Sequence, residues 1–233
     1  MSSFYDLHSA LKEPLAVETL FLDRSHLKEV SEQILAFKNL RLLNLNFNKL
    51  RSLPDWLDQL PHLQTLQVAN NFIQELPRRL HHCRALEILD LQNNAFEIVD
   101  SGSLPIHLVQ LDLSDNRLRK FSSKVPHSKL KVIRLNENRL SAIPSVRNAP
   151  ELRTLELFKN KINKWPKDSQ ALLTLEKLNL GRNLLKDIPE YFADLNNLKY
   201  LDLSSNKITQ VPTQLGNCAP LRNLNLANNK LEY

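Results

Sequence analysis

Glycine is scarce in this chain, with three among 233 residues, and there are two cysteines and one methionine. So little glycine leaves no glycine-rich phosphate-cradling loop, which needs several at fixed spacing. No stretch of eighteen apolar residues occurs, so no transmembrane helix is expected. The first residues, Met1 to Ala10, lack a basic stretch followed by an apolar one, so no signal peptide is read there. No Ser/His/Asp set and no helix-borne H-E-x-x-H is present. Charge is ample, at 24% of residues with a net value of +6, which admits an acidic partner, nucleic acid or an anionic membrane surface.

What fills the sequence instead is one pattern, L-x-x-L-x-L-x-x-N-x-L, in ten copies at steps of 22 or 23 residues. Nine begin at Leu40, Leu63, Leu86, Leu108, Leu130, Leu152, Leu175, Leu198 and Leu221. A weaker one begins at Val17 and has Ser25 where the others have asparagine. Within a copy the second and third apolar residues, such as Leu43 and Leu45, are two apart. Alternation along a strand turns both inward and the residues around them outward. The asparagines Asn48, Asn71, Asn94, Asn116, Asn138, Asn160, Asn183, Asn206 and Asn229 recur where the chain leaves the strand. An amide both donates and accepts, so stacked copies should form a ladder satisfying backbone groups that the turn strands inside. Loss of Asn138 should therefore cost about 1–3 kcal/mol. Asn136, two residues earlier and read as water-facing, should cost under about 0.5.

The returning half of each copy carries an apolar residue and proline: Leu53-Pro54, Leu76-Pro77, Ile143-Pro144, Trp165-Pro166, Ile188-Pro189 and Val211-Pro212. Proline suits an extended or first-turn position, and single helical turns are expected after it, with Trp56 and Tyr191 half-exposed outside. Residues 97–107 and 119–129 lose this signal, so the outer side should be irregular there. Cys83 and Cys218 share one core position six copies apart. At about 4.8 Å per strand they stand roughly 29 Å apart, beyond disulfide reach.

At the start, Phe4, Leu7 and Leu11 are spaced as on a helix, with Ser3 as N-cap, Asp6 at the third helical position and Pro14 closing the run. Residues 1–15 are read as a helical cap and 16–233 as the repeat array, with no C-terminal cap visible. The last strand would then show an open edge with Leu221, Leu224 and Leu226. Either the chain is a piece of a longer protein or a second copy covers this end, so self-association there is an expectation.

The repeats, followed by their Leu-Pro pairs, resemble the bacterial and typical leucine-rich repeat classes over residues 17–231. The opening Ala10 to Pro14 running into Val17 to Leu22 resembles leucine-rich repeat proteins common in bacteria. The resemblance implies an α/β solenoid, a horseshoe with a parallel concave β-sheet and short helical or irregular convex turns. It also implies protein recognition on the concave face rather than catalysis. Members of the family stand alone, are secreted or injected into host cells, or are fused to enzymatic domains. A cytoplasmic or host-delivered scaffold is therefore expected, with recognition on behalf of a catalytic domain outside the chain as the alternative.

The central outward position runs Phe21, Asn44, Gln67, Asp90, Asp112, Arg134, Glu156, Asn179, Asp202, Asn225, and Phe158 and Tyr200 fall on the rows beside it. The expected partner-binding set is Phe21, Gln67, Asp90, Asp112, Arg134, Glu156, Phe158, Tyr200 and Asp202. Gly181 beside Phe158 should leave room for a partner side chain. Phe21 and Phe47 could equally pack on neighbouring leucines. Asp90 and Asp112 on adjacent strands should raise one another's pKa. A catalytic or cation-binding pair is less favoured than a ladder of alternating charges through Arg134 and Glu156. His81-His82-Cys83 has no fourth ligand at metal-binding spacing, so no metal or cofactor is expected. Arg117, Arg119, Lys120, Lys124, Lys129, Lys131 and Arg134 are clustered. But Lys49, Arg117, Arg139, Lys161, Lys207 and Lys230 share one loop position, and a solvated stripe is favoured over nucleic-acid binding.

Overall fold

A computed structural model describes residues 2–121, 126–167 and 169–232. One sheet of eleven parallel strands runs in strict sequence order. The strands are β1 (Ser3–Phe4), β2 (Thr19–Phe21), β3 (Leu42–Asn44), β4 (Thr65–Gln67), β5 (Ile88–Asp90), β6 (Gln110–Asp112), β7 (Val132–Arg134), β8 (Thr154–Glu156), β9 (Lys177–Asn179), β10 (Tyr200–Asp202) and β11 (Asn223–Asn225). The register is that of the repeat: Leu43, Leu66, Leu89, Leu111, Ile133, Leu155, Leu178 and Leu201 stand opposite one another. They are buried, with Leu45 and its equivalents, in one continuous apolar core. The horseshoe solenoid expected from the repeat is the fold.

The asparagine ladder is present and fully engaged. Asn138 Nδ2 donates to the carbonyls of Leu113, Leu135 and Asn136 at 2.9, 3.2 and 3.0 Å, and its Oδ1 accepts from Leu118 N at 2.9 Å. Asn48 through Asn206 repeat this set, each reaching back one repeat. Ser25, the exception, bonds only locally, to the Asp23 carbonyl. The residue before each ladder asparagine lies in the left-handed region, from Phe47 (φ 56°) to Asn228 (φ 58°), and none is glycine. Such a residue costs about 1–2 kcal/mol, offset here by the bonds on either side of it.

The outer side is built from short 3-10 turns at Glu32–Ala36, Asp55–Gln59, Leu80–His82, Ser101–Ser103, Ser169–Ala171, Glu190–Asp194 and Thr213–Asn217. The expected single helical turns are thus 3-10 turns, and Trp56 and Tyr191 are half-buried against the core. Of the two stretches expected to be irregular, 97–107 holds the Ser101–Ser103 turn, whereas the described residues of 119–129 hold no helical turn, and none follows as far as Pro150. One column repeats on this side: Leu60, Cys83, Pro105, His127, Ala149, Leu172, Leu195 and Cys218 each accept from the amide three residues on. His127 is the polar member of that column and is 1% exposed.

The start of the chain differs from its expectation. Ser3 does not cap a helix; Ser3–Phe4 extends the sheet beside β2. The helix α1 is only Leu7–Ala10, capped by Asp6, whose side chain accepts from Ser9 N at 2.7 Å. Phe4, Leu7 and Leu11 still pack against the core. Carboxylate-to-amide capping at Asp6 outcompetes the longer helix because it satisfies an otherwise unpaired first-turn N–H.

Candidate binding surface

Strand pairing places the central row side by side: Phe21, Asn44, Gln67, Asp90, Asp112, Arg134, Glu156, Asn179, Asp202 and Asn225 are successive neighbours. All nine residues expected to bind lie on this face. Strand spacing of about 4.8 Å sets the pitch of the array.

The short members of the row have a second duty. Asn44, Asp90, Asp112, Asn179, Asp202 and Asn225 each accept, through Oδ1, from the amide two residues on, at 2.8–3.1 Å. Gln67 and Glu156 do not, and the neighbouring repeat supplies the acceptor instead. Asn46 Oδ1 takes Ala69 N at 2.7 Å, and Asn136 Oδ1 takes Phe158 N at 2.9 Å. Asn136 also donates to Glu156 Oε2 at 3.0 Å. The reading of Asn136 as a dispensable water-facing residue is therefore corrected: it is half-buried and bonded at both ends of its amide.

Charge on the face is partly compensated. Arg134 lies 3.9 Å from Asp112, while Glu156 pairs with Lys177 at 2.8 Å rather than with Arg134. Burial alone would raise the Glu156 carboxyl, but hydrogen bonds from Lys177 and Asn136, with the Lys177 and Arg134 charges, hold it below its ordinary value. Asp90 is pushed up, first by burial and also by the Asp112 charge, against the Gln92 amide and Arg134.

The aromatics are engaged differently from their expectation. A Cβ at Gly181 would stand 3.1 Å from Phe158 Cδ2 and 3.0 Å from Ser204 Oγ. Gly181 thus accommodates Phe158 itself and leaves no room for a partner. Arg182 covers the Phe158 ring at 5.4 Å. Phe21 stacks on Tyr5 with centroids 5.3 Å apart, and Arg24 sits 4.5 Å over Phe47. Lys177 Nζ lies 5.4 Å from the Tyr200 ring. Lys177 falls on the outward row of Tyr200, but its contacts, like those of Tyr5, Arg24 and Arg182, are not readable from the sequence because they join different repeats.

On the outer side the His81 and His82 rings meet at a tilt of 53° with centroids 3.9 Å apart, and Asp58 pairs with Arg79 at 2.6 Å. The buried Cys83 thiol is pushed up to about 12 by burial and then by Asp58, so it stays protonated. Open clefts lie on the flank, one of about 220 Å³ lined by Leu53, Asp55, Leu76 and Arg78 among others. Of the basic cluster, Lys124 lies outside the described residues. No described helix is long and apolar enough to cross a membrane.

A leucine-rich repeat family model matches residues 16–73, 54–96 and 169–231, together more than half of the chain. The chain belongs to the leucine-rich repeat family. Receptor-like protein 9b of Arabidopsis thaliana is 34% identical over 115 residues, 46% of this chain and 12% of that protein. Among solved structures, the plant peptide hormone receptor RGFR1 in complex with RGF2 is 28% identical with a TM-score of 0.74, over 97% of this chain and 38% of that one. The TLR13–ssRNA13 complex is 26% identical with a TM-score of 0.81, over 97% of this chain and 35% of the receptor. The chain thus spans well under half the length of each.

Proposed function

We propose that the chain is a non-catalytic recognition module that binds a protein partner on the concave sheet, centred on Arg134, Glu156, Phe158, Tyr200 and Asp202 and extending to Asp112 and Asp90. The observation that carries this is preorganisation. Cross-repeat bonds through Asn136 and Lys177, with the local bond from Ser204 N to Asp202, hold this array before any partner arrives, so little ordering entropy remains to be lost on contact. Tyr200 is half-buried, and its hydroxyl has no bond among the described residues. It is the ring best placed to anchor a partner. Phe158 is half-buried between Gly181 and the Arg182 guanidinium, and it contributes what that packing leaves exposed. Phe21 and Gln67 lie at the N-terminal margin, Phe21 under Tyr5. The peptide-bound receptor among the relatives supports a polypeptide ligand. The RNA-bound one shows that the fold also serves another class.

The test is affinity capture from lysate of the source cells, with and without ribonuclease. Tyr200→Ala with Asp202→Asn should weaken recovery of a reproducible protein band by more than about 2 kcal/mol in titration without changing the circular dichroism. Undiminished recovery by that variant would place the site elsewhere. Loss of the ligand on ribonuclease treatment would replace protein with RNA.

A further inference from the structure

The cations of this protein fall into two populations. Arg41, Arg79, Arg134, Arg153, Lys159, Lys177 and Lys199 all pair with carboxylates. They lie on the strands, at strand entries or in the outer turns, except Lys159, which stands just before Asn160. The residues following the ladder asparagines behave otherwise. Arg117, Arg139 and Lys161 are exposed and pair with no carboxylate among the described residues. They occupy one flank, because each donates its backbone N–H to the preceding repeat, to Phe96, Leu118 and Leu140, at 2.9 Å. The spacing between them is therefore that of neighbouring repeats, about 5 Å.

The surrounding sequence is as one-sided. Segments 117–121, 139–144 and 161–167 hold Arg117, Arg119, Lys120, Arg139, Lys161, Lys164 and Lys167 and no carboxylate. Exposed Glu97 and Asp187 lie in the repeats to either side, Asp115 precedes Arg117 by two residues, and Glu137, two before Arg139, is taken up by Lys159. Concentrating like charge at this spacing costs self-repulsion, and among the described residues no carboxylate forms an ion pair with Arg117, Arg139 or Lys161. Opposite charge from outside would offset the repulsion.

We propose that this flank of the fifth to seventh repeats binds an extended acidic polypeptide segment, a run of aspartate and glutamate side chains. An extended chain rises about 3.3 Å per residue, so a run of roughly four to five residues spans three repeats of about 5 Å. Arginine and lysine together offer forked and point-like donors to carboxylates. A single nucleic-acid strand would want rings for its bases. The aromatics in these segments are Phe121, which is buried, and Trp165, half-buried with Nε1 donating to the Asp187 carbonyl at 2.8 Å. Phe121 offers no face, and Trp165 is held by that bond and by an edge-on contact with Phe192 at 5.0 Å. This surface is separate from the concave sheet and does not depend on the function proposed for it.

The experiment is fluorescence anisotropy of the whole chain with a labelled deca-glutamate peptide, and with a deca-thymidylate of matched length, at low and moderate salt. Arg117→Gln with Arg139→Gln and Lys161→Gln should weaken deca-glutamate binding at least about tenfold. The control is Arg41→Gln with Arg153→Gln and Lys199→Gln, which removes the same charge from paired positions. It should change binding less than about threefold, as should Tyr200→Ala. The proposal is overturned if deca-glutamate does not bind, if the control variant loses as much as the flank variant, or if deca-thymidylate binds more tightly.

Discussion

Asn46 and Gln67 should be energetically coupled across the seam between β3 and β4. Ala69 N is the donor at stake: the residue is 4% exposed, and the amide is held by Asn46 Oδ1 at 2.7 Å. Asn46→Ala removes that acceptor, and little water can replace it. An unsatisfied buried donor costs about 1–3 kcal/mol, so a loss of about 2 is expected. Gln67 is one methylene too long to accept from the amide two residues ahead, as Asn44 does for Asn46 at 2.9 Å. Gln67→Asn restores the local acceptor, so Asn46→Ala in that background should cost under about 0.5 kcal/mol, a coupling of roughly 1.5. Urea denaturation of the four proteins measures it. With a slope of about 3 kcal/mol per molar, Asn46→Ala alone should lower the midpoint by about 0.7 M. Equal drops in both backgrounds would refute the cap-sharing argument.

Two further outcomes follow from buried polar groups. Asn138→Ala should cost about 2–3 kcal/mol, more than Asn136→Ala at about 1–2, because four buried or part-buried bonds are lost rather than two; comparison of urea midpoints decides the order. His127 is buried, neither ring nitrogen makes a well-formed hydrogen bond among the described residues, and burial holds its pKa below the ordinary value, the nearby Pro105 carbonyl opposing this only weakly. Its neutral form is favoured by folding, so stability is full above about pH 6.5 and falls with acid as the unfolded chain takes up the proton. His127→Leu, the residue found at Leu60, Leu172 and Leu195, should remove that loss between pH 7.5 and 5.5; a variant as acid-sensitive as the parent would exclude the imidazole as its cause.

The repeat was legible because its signals are local: inward leucines two apart and an asparagine at fixed register need no knowledge of neighbours. The concave rows followed from the same spacing. What was not legible joins residues some 22 positions apart. The role of Asn136 depends on the side-chain length at Glu156, and that of Asn46 on Gln67. The pairing of a long central residue with an asparagine in the preceding repeat was a readable signal that a row-by-row reading passes over. Gly181 seemed to offer space only because the sequence does not say which way the Phe158 ring turns. The strand Ser3–Phe4 carries no pattern, since two residues are too few to show an alternation, although Phe4 packs on the core.

The ladder has a mechanical corollary. Each asparagine from Asn48 onward hooks its own turn to the repeat before it, so a load along the solenoid is shared between strand bonds and a side-chain hook at every such seam. The seam between β1 and β2 has two paired positions and no hook, Ser25 being turned to its own backbone. Pulled lengthwise, the spring should open first at that coil, and the later coils should yield one by one at higher and nearly uniform force.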